Sequence, residues 1–226
     1  RTATRPLPSG RLSPTEALTF IISASTVGLG FLYFVSLEVF ILGALAMLCY
    51  NVLYTLWWKK RWAFAAVPGA VPGALPILMG YAAAHGSTWT PGGLYLFFIL
   101  FFWQMPHFWV LALKYSQDYA SGGIPTLPVK MGSKITLKHI VLWGFGYVAI
   151  ALMAPLFFQL SWIYIGASSV MSAVLLVELF LYFKKPDSKH WLRFFLWINF
   201  SLIIYIAALN LDLWRHTLFS SWFVGD

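Results

Sequence analysis

The sequence has 226 residues, of which 60% are hydrophobic and 10% are charged, whereas about 25% of the residues in an ordinary soluble domain are charged. This much apolar surface excludes a water-soluble globule and a disordered chain. The single cysteine, Cys49, excludes a disulfide framework and a multi-cysteine metal site. The remaining class is an integral membrane protein, predicted to form one domain over residues 1–226.

Seven stretches are long and apolar enough to cross a bilayer as helices, which takes about 20 residues each. In chain order they lie at about 17–36, 39–58, 64–84, 93–113, 140–160, 162–183 and 192–213. The sequence therefore predicts an all-α, polytopic membrane protein.

The net charge of +8 follows the loops between these stretches. All Lys and Arg residues except Arg215 fall on alternate loops, beginning with the Arg1 end. The positive-inside rule predicts that these loops face the cytoplasm across the inner membrane and that the C-terminal tail lies outside. The basic excess is thus explained by topology, and we expect no nucleic-acid partner.

The longest of the predicted inner loops runs over 114–138 and includes a Gly- and Pro-rich string at 122–128 that cannot continue a helix. A structured loop of this length is uncommon unless it has a function. We therefore expect the functional site on the cytoplasmic face.

The third segment has prolines every four residues, at Pro68, Pro72 and Pro76, with Gly69 and Gly73 beside them. The glycines favour close helix packing. For the prolines we favour a broken helix around a cavity over packing alone, because proline frees backbone carbonyls.

The fourth segment carries Gln104 and His107, and the same helical stripe, if continued, meets Lys114 and Asp118. Polar side chains inside a bilayer are costly and therefore candidates for function. The stripe predicts a polar path from the membrane interior to the surface. The alternative is a structural histidine with Lys114 extending to the interface.

The second segment places Asn51, Tyr54, Thr55 and Lys59 on one helical face. The alternatives are an interhelical hydrogen bond for Asn51 and membrane anchoring for the lysines. Glu178, in the sixth segment, either enters a cavity or, as we favour, extends towards Lys184 or Lys185.

Asp118 is the only acidic residue of the long basic inner loop. A carboxylate among cations suits Mg²⁺ carrying a phosphate-type anion, although a surface ion pair is equally compatible. Together with the apolar, aromatic interior expected between the helices, these features indicate an amphiphilic ligand with a phosphate head and an apolar tail.

Three strings of the sequence are distinctive: Trp103-Gln-Met-Pro-His107-Phe, Asp118-Tyr119 and Gly123-Ile-Pro-Thr-Leu-Pro-Val129. They resemble strings of the protoheme IX farnesyltransferases, the heme branch of the UbiA-type intramembrane prenyltransferases. Further similar strings are Tyr54-Thr55 with Lys59-Lys60, Gly73-Ala74-Leu-Pro76 with Gly80, and Arg1-Thr2, Arg5-Pro6-Leu7 and Gly10. The resemblance covers essentially the whole chain.

The resemblance implies a nine-helix bundle, of which this sequence would lack two N-terminal helices and the first aspartate-rich motif. We therefore expect the sequence as it stands to be inactive. It also implies that the farnesyl group of farnesyl diphosphate is transferred to a vinyl group of heme b. Water then adds, which leaves the hydroxyethylfarnesyl chain of heme O, and diphosphate is released.

The resemblance further implies roles for individual residues and partners. Asp118 would bind Mg²⁺ and, with Lys59 and His107, take part in catalysis. The diphosphate would be bound by Arg5, Lys59, Lys60 and Lys114. The heme or substrate pocket would include Asn51, Tyr54, Thr55, Gln104, His107 and Tyr119, with His107 in heme contact or proton handling. The partners would be the lipid bilayer, farnesyl diphosphate, heme b and downstream heme-modifying enzymes or terminal oxidase assembly.

The sequence departs from the family pattern in three places. The family usually has Arg at the position of Lys60, Thr near the position of Trp62, and Asn at the position of Ala65. The alternatives to this function are a prenyltransferase acting on a quinone precursor or a chlorin, a seven-helix transporter or receptor, and a non-enzymatic heme-binding subunit.

Overall fold

The computed structural model describes residues 3–223 of the chain, with side chains for residues 3–215. Arg1, Thr2 and residues 224–226 lie outside the described residues, and so do the predictions made for the Arg1 end and the extreme C-terminal tail.

The described chain is built from helices that run back and forth. They are α1 (Pro14–Val35), α2 (Leu37–Leu48), a π-helical stretch (Cys49–Trp58), α3 (Lys59–Arg61), α4 (Ala66–His85), α5 (Pro91–Lys114), α6 (Ser116–Ser121), α7 (Leu127–Leu152), a 3₁₀ turn (Ala154–Leu156), α8 (Trp162–Lys184) and α9 (Ser188–Phe223). Within residues 3–223, seven spans are long and apolar enough to cross a membrane, with α2, the π-helix and α3 forming one of them. The prediction of seven spanning helices is confirmed.

The fifth span differs most from its prediction, because α7 begins at Leu127, well before residue 140. The string at 122–128 does break the chain, since α6 ends at Ser121 and Pro128 stands in the first turn of α7. The lysines that follow are helical and do not lie in a loop. Gly132, with φ of 78°, bends α7 within its first two turns, a conformation that other residues rarely adopt.

Two expectations about prolines and glycines in α4 have different outcomes. The helix continues through Pro72 and Pro76 without interruption, so the broken-helix interpretation is wrong. The close packing at the glycines is confirmed, because a Cβ added to Gly69 would lie 2.6 Å from the Tyr54 ring.

Buried hydroxyl groups join the spans in the interior of the bundle. The Tyr95 and Tyr164 hydroxyls lie 3.0 Å apart, and Tyr164 also donates to the carbonyl of Ala151 at 2.7 Å. Hydrogen bonds of this kind satisfy polar groups that have no water available inside a membrane. They link α5, α7 and α8 in the core.

The two ends of the bundle differ in charge. One end, called the basic end below, carries Lys59–Arg61, Lys114 and residues 184–189. At the opposite end, the buried carboxylate of Asp212 accepts hydrogen bonds from the backbone N–H groups of Ser161 and Tyr164, both at 2.9 Å, and pairs with Arg215. Asp212 therefore caps the start of α8 from the far part of α9.

Candidate functional site

A cavity of about 330 Å³ lies at the basic end, between the π-helix, α4, α5 and the segment that follows α5. Its polar lining comes from tyrosines, a lysine, an amide and a hydroxyl, and its remaining walls are aromatic, aliphatic or small. The lining residues are Tyr50, Tyr54, Lys59, Trp62, Ala63, Ala65, Ala66, Gly69, Ala70, Gln104, Met105, Phe108, Tyr119, Ile124 and Thr126. This combination of one cation with an apolar interior suits an amphiphile whose head is anionic.

The π-helix decides which residues of the second span reach the cavity. Its backbone bonds join residues five apart, as between the N–H of Lys59 and the carbonyl of Tyr54. The wider turn brings Tyr50, Tyr54 and Lys59 to the cavity. Asn51 instead lies on the exposed side and donates to the Met47 carbonyl.

Thr55, which was predicted in the same pocket, is also outside the cavity lining. Its hydroxyl donates to the carbonyl of Tyr50 at 2.8 Å, which supports the π-helical turn. Two of the four residues predicted on this face, Tyr54 and Lys59, therefore meet in the cavity.

Gln104 lies on the α5 side of the cavity in a fixed orientation. Its Nε2 donates to the carbonyls of Ala70 at 3.0 Å and Leu100 at 3.2 Å. Its Oε1 lies against Gly73, where an added Cβ would come within 2.0 Å of that oxygen. The glycine is needed here for close approach, and the amide bridges α4 and α5.

The predicted stripe from Gln104 to Asp118 does not exist as one continuous helical face. Helix α5 ends at Lys114, Tyr115 has non-helical backbone angles, and Asp118 lies on the separate short helix α6. Asp118 directly precedes Tyr119, which lines the cavity. Asp118 therefore belongs to α6 and is next in sequence to a cavity residue, and it does not lie along α5.

His107 and Lys114 contact α9. The His107 ring stacks on Trp103 and lies 5.4 Å from the Phe195 ring, and its buried Nδ1 has no hydrogen-bond partner. The Lys114 ammonium lies 3.5 Å from the centre of the Trp191 ring. The predicted role of His107 in heme contact or proton handling stays a prediction.

Lys114 also lines a second cavity of about 400 Å³, together with Asp187 and Ser188 at the start of α9. Hydrogen bonds from the backbone and ring of His190 lower the pKa of Asp187 to about 2. Asp187 therefore stays ionised at neutral pH, and this second cavity contains charges of both signs.

The remaining predicted diphosphate residues lie apart from the first cavity. Lys60 lines a neighbouring depression with Arg61 and Lys130, and Arg5 lies in the exposed turns before α1. Glu178 does not reach Lys184 or Lys185 as we favoured, because it is buried and accepts a 2.5 Å hydrogen bond from Arg193 on α9.

Sequence reasoning missed much of the cavity wall. Tyr50 precedes Tyr54 by one helical turn, and Met105 and Phe108 stand beside Gln104 and His107 in the same string. Thr126 belongs to the string at 123–129, and its buried hydroxyl has no partner. Only the tertiary contacts distinguish these residues from ordinary core. Within residues 3–215, no three His, Cys, Asp or Glu side chains are grouped as a metal site.

Comparison with known proteins agrees with this arrangement. The model of the UbiA prenyltransferase family matches residues 1–222. The chain is 44% identical over 215 residues to the protoheme IX farnesyltransferase of Bdellovibrio bacteriovorus, covering 95% of this chain and 74% of that protein. It is 39% identical over 211 residues to the protoheme IX farnesyltransferase of Aquifex aeolicus, covering 92% and 70%.

A solved structure described as digeranylgeranylglyceryl phosphate synthase in membranes has the same fold, with a TM-score of 0.76 at 19% identity. The match covers 92% of this chain and 73% of that one. The helical architecture, the cavity and the extent of the sequence match lead to one conclusion. The chain belongs to the UbiA prenyltransferase family.

Proposed function

We propose that this protein transfers the farnesyl group of farnesyl diphosphate to a vinyl group of heme b, to make heme O. The observation that carries the proposal is the first cavity, because Lys59 and a set of aromatic and apolar residues line the same space. The relatives named protoheme IX farnesyltransferase support the choice of substrates. We place the basic end in the cytoplasm, on the inner membrane, because of the alternating charge of the loops.

In this proposal Lys59 binds the diphosphate as it leaves. An ammonium at that position stabilises negative charge that grows in the transition state. Lys60, Lys114 and Arg5 lie outside the cavity lining and would contribute a longer-range positive potential instead of the primary contact.

The cavity walls have a second task, which is to protect the farnesyl cation. The rings of Tyr54, Phe108 and Tyr119 line the cavity, and aromatic faces attract cations. The apolar walls also limit the access of water to the cation before it reaches the heme vinyl carbon.

We propose Mg²⁺ as the cofactor, with Asp118 as its protein ligand. Magnesium in proteins is usually held by one or two carboxylates together with substrate phosphates. One carboxylate on α6, next to the cavity residue Tyr119, fits that minimal donor set. When bound, the ion would neutralise part of the diphosphate charge. The heme product would pass to heme-modifying enzymes or to terminal oxidase assembly.

The test uses membranes that express the complete gene, with wild-type Asp118 or with Asp118→Asn. Heme b, farnesyl diphosphate and Mg²⁺ are added, and farnesylated heme is measured by mass spectrometry. We expect product from the wild type and a loss of about tenfold or more with Asp118→Asn or a chelator.

Asp187→Asn is the matched control, because Asp187 is another acidic residue at the basic end but lines the second cavity. We expect it to keep the activity. Product that Asp118→Asn leaves unchanged would overturn the metal ligand, and heme retained without any product would indicate a heme-binding protein instead of an enzyme.

A further inference from the structure

We infer that Gln104 holds the water molecule that completes the proposed reaction, and that Gly73 positions Gln104 for this task. The inference rests on the proposed function and adds a residue that selects between two products. Two hydrogen bonds hold the Gln104 amide in place on the α5 side of the cavity.

The amide has only one way to fit its surroundings. Both neighbours of Nε2 are carbonyl oxygens, of Ala70 and Leu100, so this nitrogen uses both of its hydrogens as donors. A reversed amide would place its oxygen against those two acceptors and lose both bonds. Oε1 is therefore the group that remains for a ligand, and it can only accept a hydrogen bond.

No residue within 3–215 donates a hydrogen bond to that oxygen. The oxygen is also not one of the fully buried side-chain atoms that lack a hydrogen-bond partner. Oε1 instead lies against Gly73, which is exposed and has no side chain to cover it. Gln104 lines the first cavity together with Gly69, Ala70, Met105 and Phe108, whose side chains have no hydrogen-bond donor. A polar acceptor on this wall is costly unless it has a partner, and a water molecule provides the needed donor.

The proposed reaction needs one such water. The bond between C1 of the farnesyl group and the diphosphate oxygen breaks, and its electron pair leaves with diphosphate. C1 then bonds to the terminal vinyl carbon, which leaves a cation on the vinyl carbon attached to the heme ring. A water oxygen donates an electron pair to this carbon, and the proton that the water loses passes to diphosphate or solvent.

Without a held water, the same cation would lose a proton from the neighbouring CH₂ group and form an alkene. That product is lighter than the hydroxylated one by the mass of one water. A hydrogen bond from water to Oε1 of Gln104 would fix the water and direct its lone pair, and so would favour the hydroxylated product.

The test compares the two products by mass spectrometry in membranes that express the complete gene. Gln104→Met keeps the size of the side chain and removes the acceptor. Gly73→Ala keeps Gln104 but forces its Oε1 to move, and the flexible end of the side chain can do so without unfolding the bundle. We expect both variants to raise the ratio of alkene to hydroxylated product about tenfold.

Gly80→Ala on the same helix is the matched control, because an added Cβ there meets nothing within 4 Å. It should leave the product ratio as in the wild type. An unchanged ratio in both Gln104→Met and Gly73→Ala would overturn the inference while the transfer reaction stands. If the wild type makes no farnesylated heme, the proposed function fails and the inference fails with it.

Discussion

Lys59 and Lys60 are neighbours in sequence and resemble the same family string, yet the structure separates them. The π-helix carries Lys59 to the cavity beside Tyr54, whereas Lys60 is exposed and lines a neighbouring depression with Arg61. A charge contributes most to binding where it contacts the ligand directly and water is displaced. The two lysines should therefore differ in importance.

We predict that Lys59→Gln lowers kcat/KM for farnesyl diphosphate by about tenfold to a hundredfold, the range expected for loss of a charge-assisted contact. Lys60→Gln removes the same charge one residue away and should cost much less. Steady-state kinetics in membranes with added heme b measure both effects. Equal losses in the two variants would show that only the total charge of the basic end matters.

At the scale of elements, α8 and α9 are joined at opposite ends by two carboxylates. Glu178 pairs with Arg193 near the basic end, and Asp212 caps the first turn of α8 at the other end. Asp212 is fully buried and satisfies several donors at once, so its loss leaves those donors without a partner inside the bundle. Neither link between α8 and α9 is readable from the spacing of charges, because the partners on the two helices lie 15 or more residues apart.

We predict that Asp212→Ala lowers the free energy of unfolding by about 3–5 kcal/mol, because it breaks a buried charge pair. The melting temperature in detergent should fall clearly, while Asp187→Ala, which removes a partly exposed capping carboxylate, should have a much smaller effect. A thermal melt followed by circular dichroism compares the two. A similar small change in both variants would contradict the role of Asp212 as a buried cap.

At the scale of the whole molecule, the proposed orientation in the membrane rests on the distribution of charge between the two ends. The basic end contains the first cavity, so the orientation also decides from which side the proposed diphosphate substrate would enter. Labelling of single cysteines can test it, because Cys49 is the only cysteine and can be replaced by Ser.

We predict that Trp89→Cys, at the exposed loop opposite the basic end, reacts with a membrane-impermeant maleimide on intact spheroplasts. Lys185→Cys, at the basic end, should react only after the membrane is permeabilised, because the positive-inside rule places it in the cytoplasm. The reverse pattern of labelling would overturn the proposed orientation of the active site.

The sequence by itself determined the membrane class, the seven spans and the family. These depend on local composition, on runs of apolar residues and on contiguous strings such as 103–108 and 123–129, which need no knowledge of distant contacts. It also identified Tyr54, Lys59, Gln104 and Tyr119, four residues that meet in the cavity.

Only the tertiary structure decided which side each polar residue faces. A π-helix shifts the face of the second span by one residue, so that Tyr50 takes the place expected for Asn51, and no periodic pattern indicates that change. The end of α5 at Lys114 turns Asp118 away from the predicted stripe, and packing against α9 takes His107 and Lys114 out of the first cavity. Helix periodicity predicts faces only while the helix stays regular, whereas the neighbours that each face meets are set by long-range packing.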